Sequence, residues 1–124
     1  MSKTDTEIVD GYIALRHASK GSPKHDELFW AFNEMCDIVA VDPDRAFKLI
    51  LMILGKDDSP EVVQILAAGP LEDLLADHGE AMIGKVEAEA RKNPKFAFLL
   101  GGVWPSSIAK NIWRKVEILR ERQW

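Results

Sequence analysis

Apolar residues recur along the chain at helical spacing, and prolines mark where successive runs begin. The most apolar stretch is Ala46 to Leu54, in which Lys48 is the one charged residue. Such a run fits a buried strand or a buried helix equally well by periodicity. Its flanks decide the matter. Asp42 suits an N-cap, Pro43 the first helical position, and Gly55 the position just past a helix end. Residues 43–54 are an ordinary helix length and would be long for a strand. The pattern therefore predicts a central helix, covered by protein on most sides.

Five of the six prolines follow a residue able to stand at an N-cap, in Ser22-Pro23, Asp42-Pro43, Ser59-Pro60, Gly69-Pro70 and Asn93-Pro94. Proline is tolerated in the first helical turn, where its missing N–H would lack a partner anyway. A first helix capped by Thr4 or Asp5 is predicted to about residue 19, with Ile8, Tyr12 and Leu15 on one face. A second spans about 23–39, with the stripe Leu28, Phe32, Met35 and Val39. After the central helix, a short fourth starts at Pro60. Gly69-Pro70 is expected to break it and start a fifth, over 71–78 and closed by Gly79. A sixth covers about 80–92. A seventh covers 95–100 and stops at Gly101-Gly102. The last is capped by Ser106 or Ser107 and runs to about residue 122.

No window alternates with period two, and no Asn-Gly or Asp-Gly hairpin signal occurs. The expected fold is all-α, a single domain over 1–124 with about eight short helices. Pro23, Pro60 and Pro94 are spaced near the length of a helical-hairpin repeat. Both a compact multi-helical bundle and a short stacked (HEAT-like) array fit.

Leu, Ile, Val and Phe make up 35 of 124 residues, enough for a real core. Cys36 is the only cysteine, which excludes an internal disulfide and a multi-cysteine zinc site. Its apolar neighbours on a helix predict a buried thiol. No apolar run follows the N-terminus as in a signal peptide, and none approaches a membrane span. The expected setting is the cytoplasm.

Glu72, Asp73, Asp77, His78 and Glu80 form the only dense polar cluster. On a helix Asp73, Asp77 and Glu80 share one face. A catalytic reading makes Asp73, Asp77 and His78 acid/base groups or ligands of a divalent cation. The plainer reading gives Glu72 a place in a first helical turn, favourable to the dipole, and leaves Asp73 and Asp77 as a solvated face with His78 at a helix end. No Cys-x-x-Cys, His-Glu-x-x-His, phosphate-binding glycine loop or Gly-x-Ser-x-Gly is present. No cofactor and no metal site is expected. Trp30 and Trp113 are expected in the core. Trp104 is expected to pack, and either it or Trp124 could serve as an interface anchor.

Charge is segregated. Residues 57–90 carry nine acids and one base, a net −8, and residues 91–124 carry eight bases and two acids, a net +6. The acidic stretch could pair internally with the last helix or meet an outside partner. The leading expectation is a non-enzymatic protein-interaction module whose binding residues are Glu72, Asp73, Asp77, Glu80 and Trp104. The partner would be a protein, with a basic one favoured by the charge, and an inhibitory or toxin-neutralising role fits. A homo-oligomer is compatible with the sequence. A small enzyme using Asp73, Asp77 and His78 is the alternative. Nucleic-acid binding by Lys110, Arg114, Lys115, Arg120 and Arg122 runs against the overall acidity.

The stretch Ala67-Ala68-Gly69-Pro70-Leu71-Glu72-Asp73-Leu74-Leu75, with His78-Gly79 after it, resembles the signature of a family of small uncharacterised bacterial proteins, known as a domain of unknown function. Asn93-Pro94-Lys95-Phe96 and Leu99-Leu100-Gly101-Gly102-Val103-Trp104 are similar to its second block. The resemblance spans roughly 28–118 and implies a bacterial, helical, single-domain protein. It brings no activity and no catalytic residues.

Overall fold

Helix starts follow the capping chemistry of the sequence. The computed structural model describes residues 3–120 and 123–124. In α1 (Asp5–His17), the Thr4 hydroxyl accepts from the Glu7 N–H, and the Glu7 carboxylate accepts from the Thr4 N–H, each at 3.1 Å. This reciprocal pair satisfies two otherwise orphaned amides. Ser22 caps α2 (Pro23–Val41) through the His25 N–H, and Asp42 caps α3 (Pro43–Lys56) through the Arg45 N–H. Asn93 caps α6 (Pro94–Leu100) through the Lys95 N–H. All four of these prolines or caps stand where the sequence predicts them. The fold is all-α.

Four boundaries differ from expectation. Gly55 does not stop the central helix, since α3 runs through it to Lys56 and ends at Asp57. Gly69-Pro70 does not break the chain. A π-helical turn, Ala67–Leu71, carries α4 (Pro60–Leu66) directly into α5 (Glu72–Lys92). In an α-helix the Pro70 ring would clash with the carbonyl four residues back, and the wider winding relieves that clash. Gly79 does not end a helix either. The predicted fifth and sixth helices are one, bent at His78, whose φ of −133° and ψ of 28° are non-helical. Gly79 is buried against α7 (Lys110–Leu119), and a Cβ there would come within 3.0 Å of Ile112. Its role is close approach. Finally, α7 starts later than expected, behind Ala109 and without a side-chain cap from Ser106 or Ser107. It also ends before the predicted 122, at Leu119, with Arg120 extended.

The central position of α3 holds. The helices α1, α2, α4, α5 and α6 and the π turn all pack against it. An element enclosed by non-sequential neighbours makes a bundle, since repeats in a stacked array touch only the next repeat. The enclosure is incomplete. Ala46, Phe47, Leu49, Ile50, Ile53 and Leu54 are buried, while Leu51 and Met52 are half-buried and Lys48 is exposed. The buried side chains form one connected hydrophobic core, with no polar or charged side chain buried among the described residues.

In α2 the buried stripe is Ala31, Met35, Ile38 and Val39, rotated from the predicted one. Phe32 lies outside it and is 41% exposed. The rotation follows from α1. Gly11 of α1 faces Trp30 and Ala31 so closely that a Cβ would stand 2.8 Å from the indole and 3.2 Å from the Ala31 methyl. This contact turns Ala31 inward and Phe32 outward.

Candidate binding site

The polar cluster at the start of α5 is divided by the fold. Glu72 accepts from the backbone N–H of Trp104 at 2.8 Å, tying α5 to the loop after α6. The His78 ring, brought round by the bend, donates from Nε2 to the Val39 carbonyl at 2.9 Å. That carbonyl is in the last turn of α2 and has no partner within its own helix. His78 therefore caps the C-terminus of α2 rather than joining Asp73 and Asp77. Asp73, Asp77 and Glu80 are exposed, and the bend falls between Asp77 and Glu80. No group of three potential ligands that could hold a metal occurs among the described residues.

Four of the nine acids of 57–90 lie in ion pairs. Asp57 meets His17 at 2.8 Å, Asp58 meets Lys95 at 2.9 Å, Glu87 meets Arg91 at 3.0 Å, and Glu89 lies 3.7 Å from Lys92. The Ser59 side chain and amide N–H beside Asp57, with His17, hold its pKa down at about 2. Asp73, Asp77 and Glu80 make no ion pair among the described residues. Although α5 packs on α7, no ion pair joins these two helices among the described residues. Lys110, Arg114 and Lys115 of α7 are exposed, whereas the Arg120 guanidinium lies 5.3 Å from the centre of the Trp113 ring and near Glu117.

The tryptophans and the cysteine differ from expectation. Trp104 is 54% exposed, because its backbone is held by Glu72 while its indole points off the core. Trp30 and Trp113 are half-buried at the edge of the core. Trp124 stacks on Phe98 with ring centres 5.4 Å apart and donates from Nε1 to the Phe98 carbonyl at 2.7 Å. Its ring lies over Gly102, where a Cβ would collide with it. Cys36 is exposed, since it lies next to Met35 on α2 but outside the buried stripe.

Cys36 opens onto a feature that the pattern of apolar residues did not reveal. Two adjoining hollows, of about 200 and about 150 Å³, share Tyr12, Phe32 and Ile65 and form a groove along α2. Phe29 and Phe32 are 45% and 41% exposed, and their rings stack at 5.4 Å. His25 lies beyond Phe29, with ring centres 6.2 Å apart. The π turn contributes Gly69 and Pro70 to the wall, and Asp73 stands at that end. Burial against this apolar wall, then the Asp77 and Glu72 charges, push the Asp73 pKa up. Burial, then Asp73 and Asp37, push the Cys36 thiol up, so it stays protonated at neutral pH. Burial likewise raises the Tyr12 phenol. The sequence signal for this groove was the spacing of His25, Phe29, Phe32 and Cys36, one stripe of α2 that the fold leaves uncovered.

The arrangement is suited to binding. It offers exposed carboxylates, an aromatic groove and an exposed indole. No helix among the described residues is long and apolar enough to cross a membrane. No curated protein and no solved structure matches the chain. Residues 18–124 match a family of unknown function (DUF6869), so the chain belongs to that family.

Proposed function

We propose that this is a non-enzymatic interaction module of the bacterial cytoplasm, and that its partner is a basic protein met by the face of Asp73, Asp77 and Glu80. One observation carries this reading. These three carboxylates are exposed and make no ion pair among the described residues, while Asp57, Asp58, Glu87 and Glu89 of the same acidic stretch are paired. Unpaired exposed carboxylates on one surface attract a cationic partner and steer its approach. Trp104 supplies an exposed aromatic anchor of the type enriched in interfaces. Covering a basic partner is inhibitory in form, which fits a toxin-neutralising role.

The triple change Asp73→Lys, Asp77→Lys, Glu80→Lys tests it. The helical signal should persist, because exposed charges contribute only about 0–1 kcal/mol per pair. Association with a basic partner isolated from the host should be lost, and the wild-type association rate should fall as salt rises. An unfolded triple variant would show that the acids hold the fold together. A folded one that still binds at an unchanged rate would place the interface elsewhere.

A further inference from the structure

We infer that the groove along α2 receives an amphipathic α-helix of a partner protein, with its apolar stripe on Phe29 and Phe32, its N-terminal end at Asp73 and its C-terminal end at Lys20 and His25. This rests on the interaction-module reading and adds a groove that meets the acidic face at Asp73.

The length fits first. His25, Phe29, Phe32 and Cys36 lie on one stripe of α2, and eleven helical residues rise about 16 Å, or three turns. The two hollows follow that stripe from His25 to Cys36. Phe29 and Phe32 present adjoining rings to solvent, which favours burial by an apolar partner.

The ends of the groove carry opposite charge. Arg16, Lys20 and His25 line one end, with Arg16 also donating to the Glu61 carbonyl at 2.6 Å. Asp73 stands at the other. A helix carries partial positive charge at its N-terminus and partial negative charge at its C-terminus. Only one orientation in the groove matches both ends. A fatty acid would bring charge to one end alone. A β-strand would need a sheet edge for its amides, and the walls here are helices. A docked helix satisfies its own backbone and offers only side chains.

The test uses two peptides of about 15 residues, long enough for four turns, with the same leucine stripe. One carries two lysines at its N-terminal end and two glutamates at its C-terminal end. The other carries two glutamates at each end, so that either direction of docking sets glutamates against Asp73. Titration of the isotope-labelled chain with the first should shift the amide resonances of Phe29, Phe32, Cys36 and Asp73. The all-glutamate peptide should bind about tenfold more weakly or worse, a difference of about 1.4 kcal/mol. Phe29→Lys should remove binding while the circular dichroism stays unchanged, and Phe32→Ser serves if that variant unfolds. The change Arg114→Ala, on the exposed side of α7 and lining neither hollow, should leave peptide binding intact. Equal affinity for the two peptides, or shifts confined to other surfaces, would overturn the proposal. Either result would leave the acidic face to be judged by the pair Asp77→Lys, Glu80→Lys, which omits the Asp73 that lines the groove.

Discussion

Asp73 shows how one residue can be exposed and still strained electrostatically. Its carboxyl stands against the apolar wall of the groove, near Asp77 and Glu72, and its pKa is raised above the ordinary 3.8. The folded state therefore holds this proton more tightly than the unfolded chain does. Stability from this group is full below the unfolded pKa and is lost as pH rises through the raised folded value. At pH 7 Asp73→Asn should match or exceed wild type in melting temperature, and the gap should open as pH rises through that window. A clear drop in Tm at pH 7 would show that the carboxylate makes a stabilising contact. His78 is the opposite case, a polar side chain used for architecture. His78→Leu would leave the Val39 carbonyl without its partner. Urea unfolding should register a loss of about 1–3 kcal/mol, the range for an unsatisfied buried group. A loss near zero would mean that water replaces the ring at no cost.

At the scale of elements, α3 organises the bundle through one broad face. Ile50 is fully buried and Leu51 only partly so. Ile50→Ala should therefore destabilise by about 2–5 kcal/mol, the range for a truncated core side chain. Leu51→Ala should lose distinctly less, because its methyl groups already touch solvent. Equal losses in denaturant titrations would restore the expectation of a helix enclosed all round. The junction of α4, the π turn and α5 makes a related point. Gly69-Pro70 and His78-Gly79 look like two stops, yet they are a wide turn and a bend in one continuous path. Proline and glycine signal local irregularity reliably. Whether the chain ends a helix there depends on what packs beside it, as Ile112 does on Gly79.

For the molecule as a whole, one connected core joins side chains from every helix. Such a core predicts cooperative loss of structure. Unfolding followed by tryptophan fluorescence, which senses Trp30, Trp113 and Trp124 at the core's edge, should coincide with unfolding followed by circular dichroism. Separate midpoints would show that the parts of the chain melt independently. The segregated charge also belongs to this scale. Ion pairs such as Lys85–Asp44, Lys56–Asp10 and Lys95–Asp58 join segments distant in sequence, but the acidic run of α5 and the basic run of α7 do not cancel each other among the described residues.

The sequence by itself determined the helical class, the capped starts at Thr4, Ser22, Asp42 and Asn93, and the central helix. These depend on local chemistry: an acceptor side chain, a proline in the first turn, and an apolar period. It also determined the charge segregation. Tertiary structure decided which way each stripe turns. Close contact at Gly11 puts Ala31 inward and Phe32 outward, and leaves Cys36 on a groove instead of in the core. It likewise decided that Glu72 and His78 serve the backbone of distant segments while Asp73, Asp77 and Glu80 face solvent. A polar residue is released for binding or held for structure by its nearest unpaired neighbour, and that neighbour is 32 residues away for Glu72 and 39 for His78.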